Sequence, residues 1–223
     1  MNRRTLILGT SVLGLATFAA GAFYVNRQRA TEADAAAVLA AAAPPVDETL
    51  LIRPHSPVLG PSDAKVTLVE FFDPSCEACR AFHPVLKQIR AEFPNDVRIV
   101  MRYTVFHEGS DEAVRILEAA RRQDLFEPVL DALLKQQSGW AVHGAPAMDV
   151  AWEIAASAGM DVDQGQADRL FPGTMAVLNQ DAADVQALGI RQTPTFFLDG
   201  RRLDTLSLES LMMDVRVAVT GAT

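Results

Sequence analysis

The chain has 223 residues, 49% of them apolar, and a formal net charge of −8. That length can bury one well-packed domain with residues to spare, and the acidic balance argues against a nucleic-acid partner, because phosphate binding calls for a basic face. The only two cysteines, Cys76 and Cys79, share one Cys-x-x-Cys, which leaves no partner for a separate structural disulfide within the chain.

Taken in order, the chain opens with Arg3 and Arg4 ahead of an uncharged, largely apolar run from Thr5 to Val25. Roughly 20 apolar residues span a bilayer as a helix, and the flanking charge places the amino terminus in the cytoplasm and the remainder outside. Residues 1–30 therefore read as a signal-anchor. The competing reading is a cleaved signal peptide, since Ala20-Gly21-Ala22 offers small residues near a cut site, and Asn2 to Ile7 loosely matches a twin-arginine signal. Either reading exports the rest of the chain to a compartment where disulfide chemistry is permitted.

Residues 31–60 read as a linker: an Ala-rich stretch to Pro44-Pro45, then an extended, proline-rich lead-in with a short strand near Leu50 to Arg53. Lys65 to Phe72 is apolar nearly throughout, as expected of a strand buried on both faces. Cys76 to Phe93 comes next as a helix with Pro84 inside it, and Val97 to Tyr103 as a second strand, completing a β-α-β unit. From about 110 to 188 the pattern is helical: Asp111 to Arg122, Leu125 to Gln137 with an interruption near Pro128, Ala147 to Ala158, Asp161 to Leu170, and Thr174 to Leu188, closed by Gly189. Strand character returns after Thr193-Pro194, Asp199-Gly200 turns a hairpin into Arg201 to Leu203, and a last helix runs from Ser207, its expected N-cap, to Val219.

The stretch that organises this order is the strand feeding Cys76-Glu77-Ala78-Cys79 at a helix start. A helix N-terminus carries unpaired N–H groups and a positive partial charge, so it stabilises a thiolate on Cys76 and brings that thiol below its free value of about 8.5. Cys79, one turn in, is placed to resolve a mixed disulfide formed at Cys76. A different class of reading is a metal-binding module, a periplasmic copper or zinc carrier using the same thiols, for which the other candidate ligands are the scattered His55, His83, His107 and His143.

On these residues the chain resembles the thioredoxin superfamily, most closely the exported DsbA-type thiol:disulfide oxidoreductases, over about residues 61–220. Cys76-Glu77-Ala78-Cys79 matches the redox motif, Glu70 the buried acidic residue six positions before it, Pro84 the helix-kinking proline, and Thr193-Pro194 the cis-proline loop. The resemblance implies an α/β thioredoxin fold over residues 61–223, with a helical insertion at about 110–188 between the β-α-β half and the cis-Pro/hairpin half. It implies disulfide exchange with client proteins through Cys76 and Cys79, a membrane partner that recycles the pair, and no cofactor. It also implies a proton relay at Glu70 toward Cys79 and a substrate-guiding role for Thr193 and Pro194. Glu77-Ala78 departs from the strongest oxidants of the family, which often carry a histidine there. A carboxylate beside Cys76 disfavours its thiolate, so a less oxidising disulfide is expected. His83 reads as a surface histidine, Asp73-Pro74 as turn chemistry, the Asp111 to Arg122 run as a solvated helix face, and Phe71, Phe72, Phe82, Phe196 and Phe197 as core or groove wall.

Overall fold

The computed structural model describes residues 46–221. Two strands form its centre. β2 (Val66–Phe72) and β3 (Val97–Tyr103) run parallel, with Val66 opposite Val97 and Phe72 opposite Tyr103. Between them α2 (Glu77–Glu92) makes the crossover, burying Cys79, His83, Leu86 and Ile89 along one face at helical spacing. Pro84 lies inside that helix, where it removes one backbone donor.

β4 (Thr195–Leu198) pairs antiparallel with the other edge of β2, and β5 (Arg201–Arg202) with β4. The turn between them puts Asp199 and Gly200 in left-handed conformation, at φ 47° and 81°, which a two-residue hairpin needs. Asp199 Oδ1 also accepts the Thr67 N–H at 2.8 Å, tying the hairpin to β2. The sheet order is β1-β3-β2-β4-β5, with β1 (Val58–Leu59) antiparallel to β3. The terminal helix α9 (Leu208–Thr220) starts at Ser207, whose hydroxyl accepts from the Ser210 N–H in a capping box, as expected.

Six helices are inserted between β3 and β4: α3 (Ser110–Arg122), α4 (Phe126–Lys135), α5 (Gln137–Trp140), α6 (Met148–Ser157), α7 (Val162–Asp168) and α8 (Pro172–Ala187). The α/β architecture with a helical insertion is therefore the one expected. Pro128 does not interrupt α4; it sits in the first turn, where a helical N–H has no partner to lose. The Asp111 to Arg122 run is only partly solvated. Ala113, Ile116, Leu117 and Ala120 are buried, and so is Glu118, which accepts from Tyr103 Oη at 2.8 Å and pairs with Arg121.

The lead-in differs most from expectation. Leu50 to Arg53 is not a strand; Glu48–Leu51 forms a single helical turn, α1, capped by Asp47, whose side chain accepts from the Thr49 N–H. The described part of the expected linker, residues 46–60, packs on the domain: Leu51 is buried with Phe71, Val100 and Phe197 on the face of the sheet opposite α2. A buried charge cluster holds it there. Arg102 on β3 donates from Nη1 to the carbonyls of Leu50 and Leu51 at 2.8 and 2.9 Å, and from Nη2 to Asp181 Oδ1 and Asp184 Oδ2 of α8 at 2.7 Å each. Arg53 grips Asp184 from the other side, and His55 meets Asp181 at 2.8 Å. Residues 1–45, including the expected span Thr5–Val25, lie outside the described residues; among those described, no helix is long and apolar enough to cross a membrane.

Removing the guanidinium strands two buried carboxylates. Arg102→Met is expected to lower unfolding stability by about 3–5 kcal/mol, read as a drop in the urea midpoint at constant slope. A change below about 1 kcal/mol would place the Arg102 cluster among the dispensable ion pairs.

Candidate active site

β2 alternates its side chains between two faces. Val66, Leu68 and Phe72 join the core cluster that also holds Cys76 and Cys79, so Glu70, between Leu68 and Phe72, points to that same face. It sits mid-strand, opposite Met101 on one side and Phe196 on the other, and is 2% exposed. Burial, then the charge of Cys76, pushes its carboxyl up to about 8.

Cys76 occupies the N-cap of α2, so a thiol stands where a hydroxyl or carboxylate usually meets the first N–H groups. The Cys79 side-chain hydrogen bond lowers the Cys76 thiol most. Burial opposes it, and hydrogen bonds involving Thr193 and the backbone of Cys79 and Ala78 add to the lowering, for a value of about 5. Glu77 in the first turn does not prevent this. Cys79 behaves in the opposite way: burial, first, and then the Cys76 hydrogen bond and the charges of Glu70 and Cys76 push it far up. The two sulfurs, both free of any disulfide, are thus one thiolate and one thiol at neutral pH.

The Thr193-Pro194 bond is cis, and the Thr193 carbonyl lies across from the pair, 3.3 Å from Cys76 Sγ. Cys76, Cys79, Glu70 and Thr193-Pro194, predicted from sequence, are therefore all brought to one place. The phenylalanines are core as expected, with Phe71, Phe72, Phe196 and Phe197 buried and Phe82 packed on Phe196.

Three residues have more to do here than their sequence pattern suggests. His83 is no surface histidine: it is buried, and its Nε2 lies 2.6 Å from Asp131 Oδ1, pinning α2 to α4. Asp73 is more than a turn residue. It is fully buried, accepts from the N–H groups of Ser75, Phe106 and His107, and its own N–H points to Cys79 Sγ at 3.5 Å. Gln137, the first residue of α5, belongs to no motif in the sequence. Its Nε2 donates to the carbonyls of Pro74 and Cys76 at 2.8 and 2.9 Å, clamping the active-site turn to the insertion, while its buried Oε1 has no partner among the described residues. No local pattern marks such a residue, because its partners lie more than 60 positions away in the chain.

The class of protein that this fold and site define is borne out by comparison. The family profile described as Thioredoxin matches residues 53–215, and the chain belongs to that family. A thioredoxin-like oxidoreductase from Silicibacter pomeroyi DSS-3 is 31% identical, with a TM-score of 0.68 over 80% of this chain and 100% of that one. Wolbachia pipientis alpha-DsbA1, at 18% identity, shares the fold with a TM-score of 0.69 over 78% of this chain and 96% of that one. Among curated proteins, the Na(+)/H(+) antiporter NhaA of Herminiimonas arsenicoxydans is 36% identical over 160 residues, which are 72% of this chain and 24% of that protein. The chain spans about a quarter of the length of the curated relatives it matches.

Alkylation reads the thiol asymmetry directly. Iodoacetamide is expected to modify Cys76 of the reduced protein with a midpoint near pH 5 and to leave Cys79 unmodified through neutral pH. Because the folded value lies below that of an unfolded thiol, the thiolate favours the folded reduced state at high pH. That stabilisation is lost as pH falls toward about 5.

Proposed function

We propose that this domain is an exported thiol:disulfide oxidoreductase that exchanges disulfides with client proteins through Cys76 and Cys79. The observation that carries the reading is the opposed state of the two sulfurs: Cys76 lowered to about 5 at the helix start, Cys79 buried behind it and raised. In the oxidising direction a client thiolate attacks the Cys76 sulfur of the Cys76–Cys79 disulfide. The new bond joins the client to Cys76, and Cys79 leaves as a thiolate that takes a proton from Glu70. The client's second thiolate then attacks the client sulfur of the mixed disulfide, and Cys76 departs as the stable thiolate. The client loses two electrons and the cysteine pair gains them; the reductive direction runs the same steps backwards.

Glu70 suits the relay because, with its carboxyl near 8, it is protonated at neutral pH and yet able to release that proton. The Thr193 carbonyl lies 3.3 Å from the Cys76 sulfur and precedes a cis Pro194, which supports assigning these two residues the guidance of the client's extended segment. The cysteine pair stores the electrons itself, so the proposal invokes no cofactor. Export rests on the apolar run Thr5 to Val25, which either tethers the domain to the membrane or is cleaved from it. A membrane redox partner that recycles the pair completes the cycle.

Turnover of a model dithiol, run beside zinc and copper titration of the reduced protein, separates exchange from metal carriage. Fast, metal-independent turnover that vanishes in Cys76→Ser is expected; tight metal binding without turnover would end the proposal. Glu70→Gln should slow resolution of the mixed disulfide at pH 7 by about 10²-fold and abolish its dependence on a group near pH 8. Cys79→Ser should leave Cys76 joined to a client in extracts from the exported compartment.

A further inference from the structure

The redox motif holds no cation of its own, since Glu77 and Ala78 fill its two central positions. A histidine is brought beside the active-site turn from another segment. The loop after β3 folds back over the active-site turn because Asp73 draws it in: Asp73 Oδ2 accepts from the N–H groups of Phe106 and His107 at 2.7 and 3.1 Å, and meets His107 Nδ1 at 2.9 Å. Asp73 Oδ1 accepts from Ser75 N–H at 2.8 Å and from Ser110 Oγ at 2.5 Å. One buried carboxylate thus joins the His107 loop to the turn that carries Cys76. Ser75, Phe106, His107, Glu108, Val142 and His143 line a cavity of about 230 Å³ there. The His107 side chain is 32% exposed, and its ring lies 6.2 Å from that of His143.

We propose that His107, oriented by Asp73, is a positioning residue of the exchange reaction: its imidazolium lies within electrostatic reach of the Cys76 thiolate and favours the reduced form of the pair. The loop after β3 then supplies the positive charge that Glu77-Ala78 lacks. This deepens the oxidoreductase reading and rests on it.

The charges around His107 agree in sign. Burial alone would lower its pKa; the hydrogen bond and charge of Asp73, with the charges of Cys76 and Glu77, together more than reverse that. Glu108 and His143, from the cavity wall, are the other titratable groups beside it. Coupling is reciprocal, so the free energy the thiolate lends the imidazolium is lent back to the thiolate. The contribution is partial, because the bonds at the start of α2 act on Cys76 more strongly. It is also pH-dependent, present while His107 is charged and lost as pH rises through its raised pKa.

Two measurements on the full chain test this. His107→Gln, which keeps a donor for Asp73, is equilibrated with glutathione buffers at pH 6 and at pH 9. At pH 6 the equilibrium is expected to move about two- to fivefold away from the reduced form, the range of a solvent-screened charge pair, and at pH 9 the gap from wild type should close. Equal equilibria at pH 6, or a gap that persists unchanged at pH 9, would overturn the proposal. The second needs no variant: the His107 NMR titration midpoint should lie higher in the reduced than in the oxidised protein, and identical midpoints would refute the coupling. If no Cys76–Cys79 disulfide forms at any glutathione ratio, the oxidoreductase reading falls, and this proposal with it.

Discussion

The site depends on how α2 begins. A helix start that offers free N–H groups and a positive partial charge must be met by something, and here a cysteine sulfur holds the capping position. The ionised sulfur of Cys76 answers that need better than the neutral one. One turn further in, the same helix carries Cys79 into the core, where charge is costly. A single element therefore gives two chemically identical groups opposite protonation states.

The surrounding structure keeps this helix start in place from several sides. β2 delivers the turn and sets Glu70 beneath it. The insertion holds α2 through His83 and Asp131, through Arg90 and Glu127, and through Gln137 on the carbonyls of Pro74 and Cys76. On the opposite face of the sheet the Arg102 cluster draws α1 and α8 together. The insertion is thus part of the active site's support, and the carbonyl of Thr193 lies against Cys76 from the β4 side.

Much of this was legible in the sequence where local chemistry decides the outcome. The apolar runs of β2 and β3, the Cys-x-x-Cys after a strand, the Asp199-Gly200 hairpin and the Ser207 cap each carry their own signal within a few residues. What escaped was set by partners distant in the chain. Asp73 reads as a turn residue until the Phe106–His107 loop folds onto it, and His83 reads as exposed until Asp131 arrives from α4. The prolines of the lead-in suggest an extended tether, yet Leu51 is buried and Arg102 takes up the carbonyls of α1. Short elements held by tertiary charge pairs leave little trace in periodicity.

The central claim is that the reduced pair is one thiolate and one thiol across the neutral range, and the pH dependence of its reduction potential tests it most directly. Below about pH 5 two protons should accompany two electrons, for a slope of about −59 mV per pH unit; above it only one should, and the slope should halve to about −30 mV. A slope that stays near about −59 mV up to pH 8 would mean that both sulfurs are thiols, and would contradict the account.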